Sequence, residues 1–169
     1  MMRNSRTRTV TLLCLVILAV STGCDSPSLE SGILDLTLTQ LQAAPERVEM
    51  GDQSLILGAS AWRDFMPILP QPDSPLLAVL VEVIEKNRET ISPSIALNYL
   101  WVVQEDEIWS YVFSEEDKTE APGYMIRSFA SGGPKWDCGS PVDIIVGLSD
   151  QTGDLTLLKA ARDQIECLQ

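Results

Sequence analysis

Apolar and polar residues alternate with a period of two along most of this chain, and turn-forming residues interrupt the alternation at short intervals. Leu34, Leu36 and Leu38 alternate with polar neighbours and predict a first strand, which Ala43-Ala44-Pro45 ends. Arg47 to Met50 and Ser54 to Ala61 read as two short strands joined by a turn at Gly51-Asp52. Trp62 to Ser74 holds Pro67, Pro70, Pro72 and Asp73, which predicts an irregular connection with at most a short helical turn. Pro75 to Glu85 is almost continuously apolar, and Val79, Val81, Val83 and Ile84 favour a central strand buried on both faces over a helix. After a loop over Asn87 to Pro93, Leu97, Tyr99, Trp101 and Val103 fall on one face of a strand. Glu105-Asp106-Glu107 makes a tip, and Trp109, Tyr111 and Phe113 return on one face of the next strand. Ser114 to Pro122 is a charged loop. Tyr124 to Ala130 is a further strand, broken by Gly132-Gly133-Pro134. Val142, Ile144, Val146 and Leu148 alternate once more, Asp150 to Asp154 turns, and Leu155 to Ala160 closes a second hairpin.

About eight or nine short strands at this spacing predict an all-β domain, an antiparallel β-sandwich of immunoglobulin-like type, with a small β-barrel as the alternative. The chain has no alternation of strands with helices and no glycine-rich phosphate loop, which argues against a nucleotide-binding α/β fold.

The N-terminus carries a different pattern. Arg3, Arg6 and Arg8 form a cationic stretch without acidic residues, Val10 to Val20 is apolar except for Thr11, and the small residues Ser21, Thr22 and Gly23 lead to Cys24. These are the three parts of a secretory signal. The apolar run falls short of the roughly 20 residues a membrane-spanning helix needs. Ser21-Thr22-Gly23-Cys24 resembles the lipobox of bacterial lipoproteins, with Ser21 where many members carry leucine. The resemblance covers residues 1–24. It implies that Cys24 receives a diacylglyceryl thioether, becomes the new N-terminus and is often N-acylated as well. Two or three acyl chains hold a protein durably at a membrane. The expected organisation is a signal over residues 1–23, a polar tether over 24–32 and a single β-domain over 33–169. The expected location is extracytoplasmic, anchored to the cell membrane or the outer membrane.

Charge narrows the partners. The chain has 12 basic and 24 acidic residues; Arg3, Arg6 and Arg8 leave with the signal, so the mature net charge is −15. Such a surface is repelled by nucleic acid and by anionic headgroups, and suits solubility or a cationic partner.

The cysteines sort by position. Cys14 lies inside the signal and Cys24 is the lipidation candidate, which leaves Cys138 and Cys167 as an even pair in an oxidising compartment. A disulfide between them is the expectation. No Cys-x-x-Cys occurs, so a thioredoxin-like redox role has no support.

Catalytic chemistry is sparse. Histidine is absent, which removes serine–histidine and cysteine–histidine catalysis and the usual zinc ligands. A carboxylate pair drawn from Asp64, Asp137 and Asp143 is the remaining route to acid–base work, although abundant acidic residues are more often loop and cap positions. Glu105 to Glu107 and Glu115 to Asp117 lack the spaced ligands of a calcium loop. Asp150-Gln151-Thr152-Gly153-Asp154 resembles half of one, but it reads better as a turn with Gly153 at positive φ. No cofactor or metal is expected.

Trp101 and Trp109 sit in alternating strands, as core residues do. Trp62 beside Arg63, and Trp136 beside Lys135, fall next to expected loops and are the candidate binding surface. Trp62-Arg63-Asp64-Phe65-Met66-Pro67 and Gly132-Gly133-Pro134-Lys135-Trp136 also resemble segments of uncharacterised predicted bacterial lipoproteins or exported proteins. Trp101-Val102-Val103 and the hairpin over Val142 to Leu158 share that resemblance, which implies no activity. The expected function is therefore a non-enzymatic envelope lipoprotein that binds or scaffolds a protein partner. The alternative is a carboxylate-dependent hydrolase of envelope glycans or peptides.

Overall fold

The computed structural model describes residues 36–65 and 75–168, which contain ten strands and one short α-helix. The helix, α1 (Leu38–Gln42), precedes β1 (Arg47–Met50), β2 (Gln53–Asp64), β3 (Leu77–Glu85), β4 (Ala96–Gln104) and β5 (Glu107–Val112). A 3-10 turn (Glu115–Asp117) leads into β6 (Lys118–Thr119), followed by β7 (Met125–Gly133), β8 (Pro141–Ser149), β9 (Leu155–Lys159) and β10 (Asp163–Leu168). The strands bond in the order β5-β4-β8-β10-β2-β3-β7-β6, with β1 added to β2 and β9 to β8. The domain is all-β: one curled, mixed sheet that forms a half-barrel.

The sheet is mixed because of β10. Ile165 to Leu168 run parallel to Ala61 to Asp64, while Asp163 and Gln164 pair antiparallel with Val142 and Pro141 of β8. This departs from the purely antiparallel expectation. β10 has no counterpart in the alternation pattern, since its apolar positions are only Ile165, Cys167 and Leu168.

The inner face of the curl is one core. Val79, Val81 and Val83 of β3, Leu55, Leu57 and Ala61 of β2, and Leu100 and Val102 of β4 meet Ile144, Val146 and Leu148 of β8 and Ile165 of β10. β3 therefore buries every second residue, from Leu77 to Glu85, and leaves the alternate positions half-buried. It is not buried on both faces, as its near-continuous apolar run predicts, because no layer covers its outer side among the described residues.

Two further corrections arise locally. Leu36 and Leu38 do not open a strand. Thr37 caps α1: its hydroxyl accepts the Gln40 N–H at 3.3 Å, and the Gln40 side chain accepts the Thr37 N–H at 2.9 Å. This reciprocal pair satisfies helix-end donors that a strand would not need capped. Leu34 lies outside the described residues. Leu36, ahead of the cap, and Leu38 and Leu41 of the helix pack on the outer face of β4, β8 and β9, against Tyr99, Trp101, Val103, Ile145, Leu155 and Leu157.

In β4 the four expected same-face residues divide. Leu97 pairs with Leu148, but Tyr99 pairs with Gly147, so Asn98 is an extra residue in the strand. A bulge of this kind flips the alternation. Leu97 consequently faces the inner core, while Tyr99, Trp101 and Val103 face the helix-covered side. The bulge is held by Asn98, whose side-chain amide donates to Ser149 Oγ at 2.6 Å and whose carbonyl accepts the Phe113 N–H at 2.8 Å.

β10 is fastened at its far end by a disulfide between Cys138 and Cys167, as the cysteine count predicts. Closing a loop of about 30 residues contributes roughly 3–4 kcal/mol in the chain-entropy description. Cys138→Ser should lower the calorimetric melting temperature by about ten degrees. An unchanged transition in that variant would assign the bond no stabilising role.

Candidate functional site

The lipidation candidate, Cys24, and the tether lie outside the described residues. The other candidates can be placed. β2 continues through Asp64, so Trp62 and Arg63 belong to a strand and not to an irregular connection; residues 66–74 lie outside the described set. The strand persists because β3 pairs Trp62 with Ala78, and β10 pairs Trp62 with Glu166 and Arg63 with Cys167.

The structure brings the two candidate segments together, but through the interior. Arg63 is 5% exposed. Its Nε donates to the Pro75 carbonyl at 2.9 Å, and Nη1 donates to the Trp136 carbonyl at 2.8 Å and the Lys135 carbonyl at 3.4 Å. The guanidinium also lies 5.0 Å from the centroid of the Phe65 ring. A fixed planar fork of donors suits this task, since it gathers carbonyls from two separate segments. Arg63 thus organises backbone and presents no charge to a partner.

Trp136 is 8% exposed and joins the inner core, where its indole N–H donates to Glu107 Oε2 at 2.5 Å. It is therefore a buried residue and not a loop residue open to solvent. The side chain fills the end of the core, and its one polar atom is satisfied by the β4–β5 tip. Trp62 stands half-buried on the outer face, its ring 5.9 Å from that of Phe129. Of the four candidates, only Lys135 is exposed.

The carboxylates separate into neighbouring hollows. Asp137 shares one of about 280 Å³ with Glu105, Asp106, Glu107, Lys135 and Trp136. Asp143 shares another, of about 220 Å³, with Glu105, Gln42 and Arg162. Asp64 lines neither; it is half-buried on β2, opposite Leu168. This end of the curl is therefore an acidic surface made from the β4–β5 tip and the segment before β8. Among the described residues, no three cysteine, aspartate or glutamate side chains form a metal-binding group. The Asp150–Asp154 stretch is a turn: Asp150 accepts the Thr152 N–H and hydroxyl, and Gly153 has φ +79°. The Thr152 hydroxyl, then its N–H, hold the Asp150 carboxyl below its ordinary value.

At the opposite end lie groups the sequence reading did not single out. Buried Gln53 donates to the Thr90 carbonyl at 2.9 Å and accepts the Ser92 N–H at 2.7 Å. Buried Glu85 accepts the Glu89 N–H at 2.9 Å. Both shape the β3–β4 loop, which walls a hollow of about 510 Å³ together with β6 and the start of β7. Nearby, Asp117 accepts the Tyr111 hydroxyl at 2.9 Å, the Ser114 N–H at 2.7 Å and the Ser114 hydroxyl at 2.8 Å. The Ser114-x-x-Asp117 spacing is the sequence signal for this cap.

Those bonds set two titrations. Desolvation works to raise the Asp117 carboxyl, but the Ser114 N–H, the Ser114 hydroxyl and the Tyr111 hydroxyl together hold it below its ordinary 3.8. The Tyr111 phenol is raised above 10.0, first by its bond to Asp117 and then by desolvation and that carboxylate's charge.

Comparison with protein-family models, with curated proteins and with solved structures gives no match for this chain.

Two outcomes follow from the geometry. Trp136→Ala should cost about 3–5 kcal/mol, as truncation of a buried tryptophan does. The melting temperature should then fall by more than ten degrees; an unmoved transition would return Trp136 to the surface. In Asp117→Asn, alkaline absorbance titration should show Tyr111 ionising closer to 10.0, with Tyr111→Phe identifying its signal. The stability that Asp117 adds is present above 3.8 and lost as pH falls through its lower folded value, so acid unfolding of the asparagine variant should lack this component.

Proposed function

We propose that this protein is a lipid-anchored, extracytoplasmic binding or scaffolding module without catalysis of its own. The observation that carries the reading is the division of labour among its cysteines. Cys24 ends a leader of secretory pattern, and the two cysteines of the described domain are joined as Cys138–Cys167. Structural disulfides persist in oxidising compartments outside the cytoplasm, which agrees with such a leader.

The two halves of the curled sheet serve as the layers of a sandwich in this reading, in preference to a small barrel. Support comes from the inner core that they share. It also comes from Trp109, whose ring stands against Gly133 so closely that an added Cβ would lie 2.8 Å from it. This packing leaves tips and edges as the working surface. The acidic end, with Glu105, Asp106, Glu107 and Asp137 around a single Lys135, favours a cationic partner at the envelope. Opposite charge of this kind steers encounter more than it tightens the final complex.

Cys24→Ala should abolish metabolic acyl labelling and leave the precursor unprocessed. Crosslinking in membranes should capture an envelope protein with the wild-type chain. Unchanged acyl labelling of the alanine variant would refute the anchor. Turnover of an envelope glycan or peptide that disappears in Asp137→Asn would establish the carboxylate-dependent hydrolase instead.

A further inference from the structure

We propose that the outer edge of β5 receives an extended, lysine- or arginine-rich segment of a partner protein as an added strand. This rests on the binding-module reading and gives it a surface.

β5 ends the strand order on its side of the sheet. Its register with β4, from Gln104–Glu107 to Tyr99–Val112, continues to a bond from the Phe113 N–H to the Asn98 carbonyl at 2.8 Å. Bonded pairs alternate with non-bonded pairs in an antiparallel ladder. Glu107, Trp109 and Tyr111 therefore bond to β4, while the N–H and C=O groups of Ile108, Ser110 and Val112 point outward. Those outward groups have no hydrogen-bond partner among the described residues. Only another extended strand matches such a row of donors and acceptors.

Proteins usually protect an edge of this kind with charge, proline or brevity. The opposite edge, β6, is two residues long and carries Lys118. β5 is six residues long, and its outward positions Ile108, Ser110 and Val112 carry no charge; Ile108 and Val112 are 40% and 47% exposed. The strand is held straight from its inner side by Trp109 on Gly133, Glu107 on Trp136 and Tyr111 on Asp117. Pairing would thus demand little further ordering.

Charge selects the occupant. Glu105-Asp106-Glu107 opens β5, and Glu115-Glu116-Asp117 follows its end. A second copy paired antiparallel would set one acidic group against the other at both ends, between chains that each carry −15 after loss of the signal. A cationic strand meets attraction at both ends.

The test uses the full mature chain and a synthetic peptide of about eight residues, a usual strand length, alternating lysine and valine. A glutamate–valine peptide is the control. The lysine peptide should bind and slow amide exchange at Ile108, Ser110 and Val112, and the control should not bind. Ser110→Pro deletes one outward N–H and leaves the β4–β5 bonds in place, so it should weaken binding at least tenfold. Ser110→Lys should weaken it by repulsion with an unchanged thermal transition, and it decides the matter should the proline variant not fold. Equal binding to wild type and Ser110→Lys, protection elsewhere than β5, absence of binding, or dimerisation through β5 would each overturn the proposal. A crosslinked envelope partner retained by Ser110→Lys would remove this edge while leaving the binding-module reading intact.

Discussion

The sheet depends on β10. Two pairs, Asp163–Val142 and Gln164–Pro141, are all that join it to β8, and four parallel pairs join it to β2. Every other strand belongs to one side or the other of this junction in the hydrogen-bonded order. The loop before β8 reinforces it, since the Gly139 N–H donates to the Ile165 carbonyl at 2.7 Å and the Ile165 N–H donates to the Ser140 carbonyl at 3.0 Å. The disulfide ties the same loop to Cys167. Within the strand order these six residues join the two sides; outside it, the Lys159 N–H of β9 donates to the Pro45 carbonyl ahead of β1 at 2.8 Å, and the shared core supplies the attraction between the halves.

Packing around that junction reaches the acidic end through a chain of contacts. Arg63 sits beside Cys167 in the β2–β10 register and reaches the carbonyls of Pro75 and Trp136. Trp136 in turn fixes Glu107 at the β4–β5 tip. Hydrogen bonds to a charged group are each worth about 1.5–3 kcal/mol, and of these the one to the Trp136 carbonyl is buried. The carboxylates facing solvent are therefore held on a frame whose charged centre is inside the protein.

The hairpins were legible because their determinants are local. Gly51-Asp52, Glu105-Asp106 and the Asp150 turn each separate two apolar alternations, and β1–β2, β4–β5 and β8–β9 form there. β10 was not legible because its partners, β2 and β8, are chosen by long-range pairing that a six-residue pattern does not encode. The bulge at Asn98 and the helix α1 fall between these cases. Thr37 and Gln40 stand at capping-box spacing, yet the leucine alternation around them outweighs that signal. At the site, Arg63 and Trp136 were found by their side-chain type and do lie together, but an amphipathic side chain fits an interior as readily as a surface. Which way it turns is decided by carbonyls far away in sequence.

The position of β10 in the chain has a consequence for the order of assembly. It follows every other described strand, so a chain that emerges N-terminus first delivers both halves of the sheet before the piece that joins them. Strand pairing at such separation forms slowly, and unpaired edges are exposed meanwhile. Because Cys167 lies in β10, the Cys138–Cys167 bond is a latch whose native pairing requires that the final strand has found its groove.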